Sequence, residues 1–282
     1  MTFNEYSGLT VKQGWFLIFR LIAFSILLSI PLLIGKMLME GYTVPPLLSS
    51  LGSLLTYALP FVLVIRVGLK WSKSDLRKDM KEEFARIDYG VLGVVVLLTP
   101  FLGILLEPLF NLLPPPPEFL NKAFKELMQP NVISFLAIAV APALLEEMLC
   151  RGIILKGLLE RYSVPKAIIW SAVLFGAMHL NPWQGITGVV LGLFIGWVYY
   201  RTRSIYPGIL IHFANNAISF FTWLAWGDTV TSLEELMPPT AYYVLVAASL
   251  LLVGAGVWFL NKRMPKSPEV ALDPFPEATA VV

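Results

Sequence analysis

Long apolar runs, separated by short polar or proline-rich stretches, make up most of the chain. Eight of them reach or approach the ~20 residues that a helix needs to cross a hydrocarbon layer. They cover Trp15–Gly35, Val44–Ile65, Tyr89–Leu113, Val132–Lys156, Pro165–Leu180, Trp183–Tyr200, Ile205–Trp226 and Ala241–Leu260. The pattern predicts an all-α polytopic membrane protein, a bundle of about eight transmembrane helices. The fifth run is short, so one of its ends is expected to be sheltered by protein or water. Lys70–Asp88, of mixed charge, reads as a surface helix lying along the membrane. Pro114–Pro117 forces an extended turn. The first run is too long for the apolar region of a signal peptide, and no small-residue cleavage site follows it, so a retained span is expected. There is no internal repeat. Residues 1–264 read as one helical domain, and 265–282, rich in proline and without apolar periodicity, as a disordered cytoplasmic tail.

Composition sharpens this picture. The chain is 57% hydrophobic and 14% charged, where a soluble domain carries about 25% charged residues. Its net charge of +2 argues against a nucleic-acid partner, and its single cysteine, Cys150, excludes an intrachain disulfide. The position of the charges is more informative than their sum. If the spans alternate from a cytoplasmic N-terminus, 18 of the 21 basic residues fall on the cytoplasmic side, and only Lys36, Lys122 and Lys125 on the other. That imbalance predicts that both termini are cytoplasmic.

Against this apolar background stand a few polar residues inside spans. Pro142–Arg151 carries Glu146, Glu147 and Arg151, although a buried carboxylate costs at least ~2.5 kcal/mol in hydrocarbon. Both histidines of the chain, His179 and His212, also fall in apolar runs, and Asn216 follows His212 by one turn. On helical spacing the two glutamates point about 100° apart and so have different tasks. Glu147 and Arg151, four apart with the acid first, suit an ion pair. Glu146 is then available as a general base, with His179 helping to hold a water. His212 and Asn216 share a face and can donate to a developing oxyanion. The reverse assignment of the two glutamates is also open. Glu146, His179 and His212 further make a ligand set for one divalent metal such as Zn2+ with a position left for water. Metal-assisted and metal-free water activation are equally compatible with these residues. Depth along the helices brings Glu146, His179 and His212 toward one layer, provided that the fourth helix runs on past Arg151, bent at Pro142.

Other candidates have plainer readings. Glu107 reads as interfacial, Arg20 and Arg66 as snorkelling to the surface, and Cys150 as packing. Gly188, Gly192 and Gly196, spaced by four, read as a close helix contact.

Glu146-Glu147-x-x-x-Arg151, Phe175-x-x-x-His179 and His212-x-x-x-Asn216, in this order and each inside a span, resemble the CPBP family of intramembrane proteases. That family includes type II CAAX prenyl endopeptidases and bacteriocin-processing (Abi) proteins. The resemblance covers about residues 132–219. It implies a membrane-embedded endopeptidase, with Glu146 and His179 activating water, His212 and Asn216 stabilising the oxyanion, and Glu147 and Arg151 in support. It implies a peptide or protein substrate, lipid-modified or transmembrane, and a setting such as the bacterial plasma membrane. Two other functions fit the same buried charges: an ion- or proton-coupled transporter, and a non-catalytic bacteriocin-immunity protein.

Overall fold

The computed structural model describes residues 8–38, 44–72, 75–85, 87–110, 112–227 and 232–265. The expected tail beyond Pro265 and the basic residue Arg86 lie outside them. Ten helices, with α-helical and π-helical turns merged where the chain runs on without a break, organise the described residues. They are α1 Val11–Leu38, α2 Pro46–Ser72, α3 Leu76–Phe84, α4 Tyr89–Phe110, α5 Glu118–Leu127, α6 Val132–Leu159, α7 Val164–Ala177, α8 Pro182–Thr202, α9 Tyr206–Trp226 and α10 Pro239–Arg263. Seven among the described residues are long and apolar enough to span a membrane, and α7 is a shorter apolar helix. The protein is thus an all-helical membrane protein, and its fifth apolar run is the short one, as its length predicts.

Helix α6 lies at the centre. Buried residues make up 44% of its apolar window, the largest share of any span. It packs on α2, α7 and α9, while α4 and α10 pair at the periphery and α1 lies against α2 and α7. Two π-helical turns interrupt it, Leu136–Val140 and Cys150–Leu155, one on each side of the glutamates. The first has an identifiable cause. Pro142 has no N–H to offer the carbonyl of Ile138, four residues earlier, so the ladder widens there. The side-chain amide of Asn216 donates to that Ile138 oxygen at 3.1 Å. At the second, the Ser171 hydroxyl donates to the Cys150 oxygen at 3.2 Å. The expected bend at Pro142 is therefore a widened turn, and the helix continues past Arg151.

Helices α7 and α8 form an antiparallel pair whose backbones nearly touch. A Cβ on Gly192 would lie 3.1 Å from Ala172, and one on Gly196 3.1 Å from Ile168. On the other side of the seam, a Cβ on Gly176 would lie 2.6 Å from the Gly185 oxygen. A backbone carbonyl cannot swing aside as a side chain can. Gly176→Ala is therefore expected to cost about 1–3 kcal/mol, read as a lower unfolding midpoint in detergent.

Short polar contacts tie the helices at the end of the bundle where basic residues gather. The amphipathic α3, capped by Asp75, docks there, and the Leu76 side chain is buried in the core. Lys156 pairs with Asp79 at 2.7 Å, and Glu83 accepts from the Ile205 amide at 2.8 Å, just ahead of α9. Asp88 caps α4 and pairs with Arg263 of α10, whose guanidinium holds the aspartate carboxyl below its ordinary range. Arg20 lies over the Trp71 ring, 4.7 Å from its centroid.

Candidate active site

Six side chains from three segments of sequence gather around the middle of α6. Glu147 and Arg151, both fully buried, pair at 2.9 Å through Oε1. A second Arg151 nitrogen donates to the Gly192 oxygen at 3.2 Å, and the guanidinium lies over the Phe175 ring, 4.5 Å from its centroid. Glu147 Oε1 also meets Nδ1 of His212 at 3.1 Å. Gly208, in the first turn of α9, brings the backbone against the same carboxylate: a Cβ there would lie 3.0 Å from Oε2. The positive end of the α9 dipole favours the negative charge so placed.

The carboxylate of Glu147 accepts the Nδ1–H of His212, so that the Nε2 lone pair of this ring faces away from Glu147. His179 does not sit within a helix, as its apolar surroundings predict, but in the turn that closes α7, beyond Met178. The chain reverses there, with Leu180 in the left-handed region at φ 57°. The turn brings His179 Nδ1 to 2.9 Å from the Phe175 oxygen, which fixes Nδ1 as the donor and again leaves Nε2 bare. Both Nε2 atoms lie 3.9 Å from Oε2 of Glu146. That oxygen is buried and accepts no hydrogen bond from the protein.

The other oxygen of Glu146 accepts from the Tyr57 hydroxyl at 2.5 Å. Tyr57 is on α2, 89 residues earlier in the chain, and the sequence reading missed it. A signal was available: Ser50, Ser53 and Tyr57 form a polar stripe at helical spacing along an otherwise apolar span. Phe175 is named in its motif, but the spacing gives it no role. Its ring stands edge-on to both His179 and His212, with centroids 5.4 and 5.6 Å away, as well as beneath Arg151. The phenylalanine of the second motif is thus the surface on which three polar groups are aligned.

Asn216 lines the same cavity, one of its amide hydrogens being engaged by Ile138 and its oxygen by Asn215. Cys150 is fully buried in the apolar core. Glu107 is not a free interfacial carboxylate: it lines the far end of the cavity and accepts from the backbone of Leu233. The cavity has a volume of 940 Å³, and Glu146, His179, His212 and Asn216 all reach its wall.

The donor set of Glu146, His179 and His212 has the chemistry of a metal site, because each imidazole donates its other N–H to an oxygen acceptor. Its spacing is somewhat wider than that around a bound metal. Ligands of a tetrahedral zinc lie about 3.4 Å apart, whereas each histidine here is 3.9 Å from the carboxylate. Among the described residues no group of three or more His, Cys, Asp or Glu side chains has the arrangement of a metal centre. A water that bridges two acceptors by hydrogen bonds of about 2.8 Å sets them about 4.6 Å apart, so the observed 3.9 Å lies between the two spacings and is compatible with either.

No curated protein and no solved structure matches the chain. Residues 128–218 match the family described as type II CAAX prenyl endopeptidase Rce1-like. That segment contains all three motifs, the turn that carries His179 and both π-helical interruptions, though not Tyr57. Over that segment the chain is similar to this family, in line with the resemblance to CPBP proteases that its three motifs carry.

Proposed function

We propose that the protein is an intramembrane endopeptidase that hydrolyses peptide bonds with a water activated by Glu146. The observation that carries this reading is the pairing of roles on one carboxylate. Oε1 of Glu146 is held by Tyr57, while Oε2, which accepts no hydrogen bond from the protein, faces the Nε2 atoms of His179 and His212 at 3.9 Å. Glu146 takes a proton as the water oxygen attacks the scissile carbonyl carbon. His179 orients the water through Nε2. The free amide hydrogen of Asn216 stabilises the oxygen that becomes negative, and His212, held by Glu147 through Nδ1, joins it as a donor when its Nε2 has taken a proton from solvent before the attack. Collapse of the tetrahedral intermediate breaks the C–N bond, and the proton held by Glu146 passes to the leaving amine. Glu147 and Arg151 do not touch the reacting atoms. They hold the ring of His212 through its Nδ1 and fix the rotation of α6.

Purified protein incubated with a library of membrane peptides is expected to cleave a subset of them, and Glu146→Ala or His179→Ala to abolish that cleavage. Ion flux in proteoliposomes that Glu146→Ala removes, without any peptide cleavage, would instead establish a transporter. Cleavage is expected to survive a strong chelator. Loss that added Zn2+ restores would replace the water-only mechanism.

Tyr57→Phe removes one hydrogen bond to a charged group, which is worth about 1.5–3 kcal/mol. The expected result is a fall in kcat of about ten- to a hundredfold with KM unchanged. A change confined to KM would show that Tyr57 acts on substrate and not on Glu146.

A further inference from the structure

The cavity has a direction. Its floor is the polar layer of Glu146, His179 and His212, and no residue of α3, of 149–166 or of 195–206 contributes to its wall. That side is sealed by apolar packing, where Leu149, Ile153 and Ile154 are fully buried beneath the glutamates. From the floor the wall continues to the opposite end of the bundle, through Thr187 and Gln184 on α8, Glu107 on α4, Met128 after α5, and Leu233 and Leu236 before α10. Gln184 and Leu236 are exposed there. Among the described residues, Lys122 and Lys125 on α5 belong to this end, whereas Lys70, Lys78, Lys156, Arg201, Lys262 and Arg263 lie at the ends of helices on the sealed side. Basic residues concentrate on the cytoplasmic side of membrane proteins.

Together these observations lead us to infer that the cavity opens at the non-cytoplasmic face, and that its occupant is an apolar peptide segment presented from that face. The chemistry of the wall selects the segment. Among the described lining residues are two carboxylates, Glu107 and Glu146, and no lysine or arginine, while the rest of the wall is mainly apolar. A segment that is apolar, with a neutral or basic flank reaching toward Glu107, is matched; an acidic one is repelled. This volume is at the upper end of the range of about 300–1,000 Å³ for ligand pockets. The cleavage of that segment rests on the function proposed above, whereas the direction of the opening does not.

The test uses the whole protein in right-side-out membrane vesicles and a membrane-impermeant maleimide. The native Cys150 is fully buried and serves as the unlabelled background. Gln184→Cys and Thr187→Cys are expected to label in sealed vesicles, and Lys78→Cys on α3 only after permeabilisation. Labelling of Lys78→Cys from outside would overturn the orientation. Thr187→Cys labelled only after permeabilisation, while Gln184→Cys labels freely, would overturn the opening. The wild-type elution profile in size exclusion qualifies each variant for the comparison. Attachment of the maleimide at Thr187→Cys is further expected to block peptide cleavage. A protein that labels as expected yet cleaves no peptide refutes the protease function and leaves the direction of the cavity standing.

Discussion

Glu146→Gln is expected to lower peptide cleavage by about 10²–10⁴-fold, the range lost with a positioned general base, while the fold remains intact. The substitution keeps the shape of the side chain and its ability to accept from Tyr57 through the amide oxygen. It removes only the capacity to take a proton from water. Unchanged tryptophan fluorescence and an unchanged unfolding midpoint, measured beside single-turnover cleavage, separate this effect from misfolding. Retention of most of the activity would remove Glu146 from the reaction and pass the role of base to Glu147. The two glutamates are distinguished by their surroundings. Glu147 is fully enclosed and bonded to Arg151 and His212; Glu146 reaches the cavity.

The second large effect is on stability. Arg151→Met leaves the carboxylate of Glu147 fully buried and opposed only by His212, and breaking a buried pair by removing one partner costs about 3–5 kcal/mol. The guanidinium also supplies the contacts to the Gly192 oxygen and the Phe175 ring, so its loss loosens the contact of α6 with α7 and α8. The double variant Glu147→Leu/Arg151→Met is expected to regain much of that stability, because two charges then leave the apolar interior together. It should not regain activity, since Nδ1 of His212 loses its acceptor. Equilibrium unfolding of the single and double variants, with cleavage measured on each, reads both parts. A double variant that is as active as the wild type would show that the ion pair serves the fold alone.

Much of this architecture was legible because membrane insertion leaves so strong an imprint on sequence. The apolar runs predict the spans closely, and the four-residue spacing of Glu147 and Arg151 predicts their ion pair, since both are settled within one helix. What was not legible depends on contacts between distant segments. Nothing near Tyr57 in the chain says that it meets Glu146, because that pairing is decided by how α2 leans on α6. The position of His179 beyond the end of α7 was hidden by its apolar neighbours, which read equally well as the continuation of a helix. The π-helical turn before the glutamates could be anticipated as a disturbance at Pro142, but not as one relieved by Asn216 from another span.

Tyr57 also alters how the motif-bearing segment should be regarded. Residues 128–218 match the Rce1-like family and contain the three motifs, yet the phenol that steadies Glu146 is on α2, and Glu107 and Leu233 of the cavity wall also lie outside that range. The segment is therefore not a transferable module. It is one half of a joint construction, whose other half is written in hydrophobic helices with few distinctive letters. Relatives that agree across the signatures can still diverge in reactivity and choice of peptide, through positions that a comparison of signatures alone never inspects.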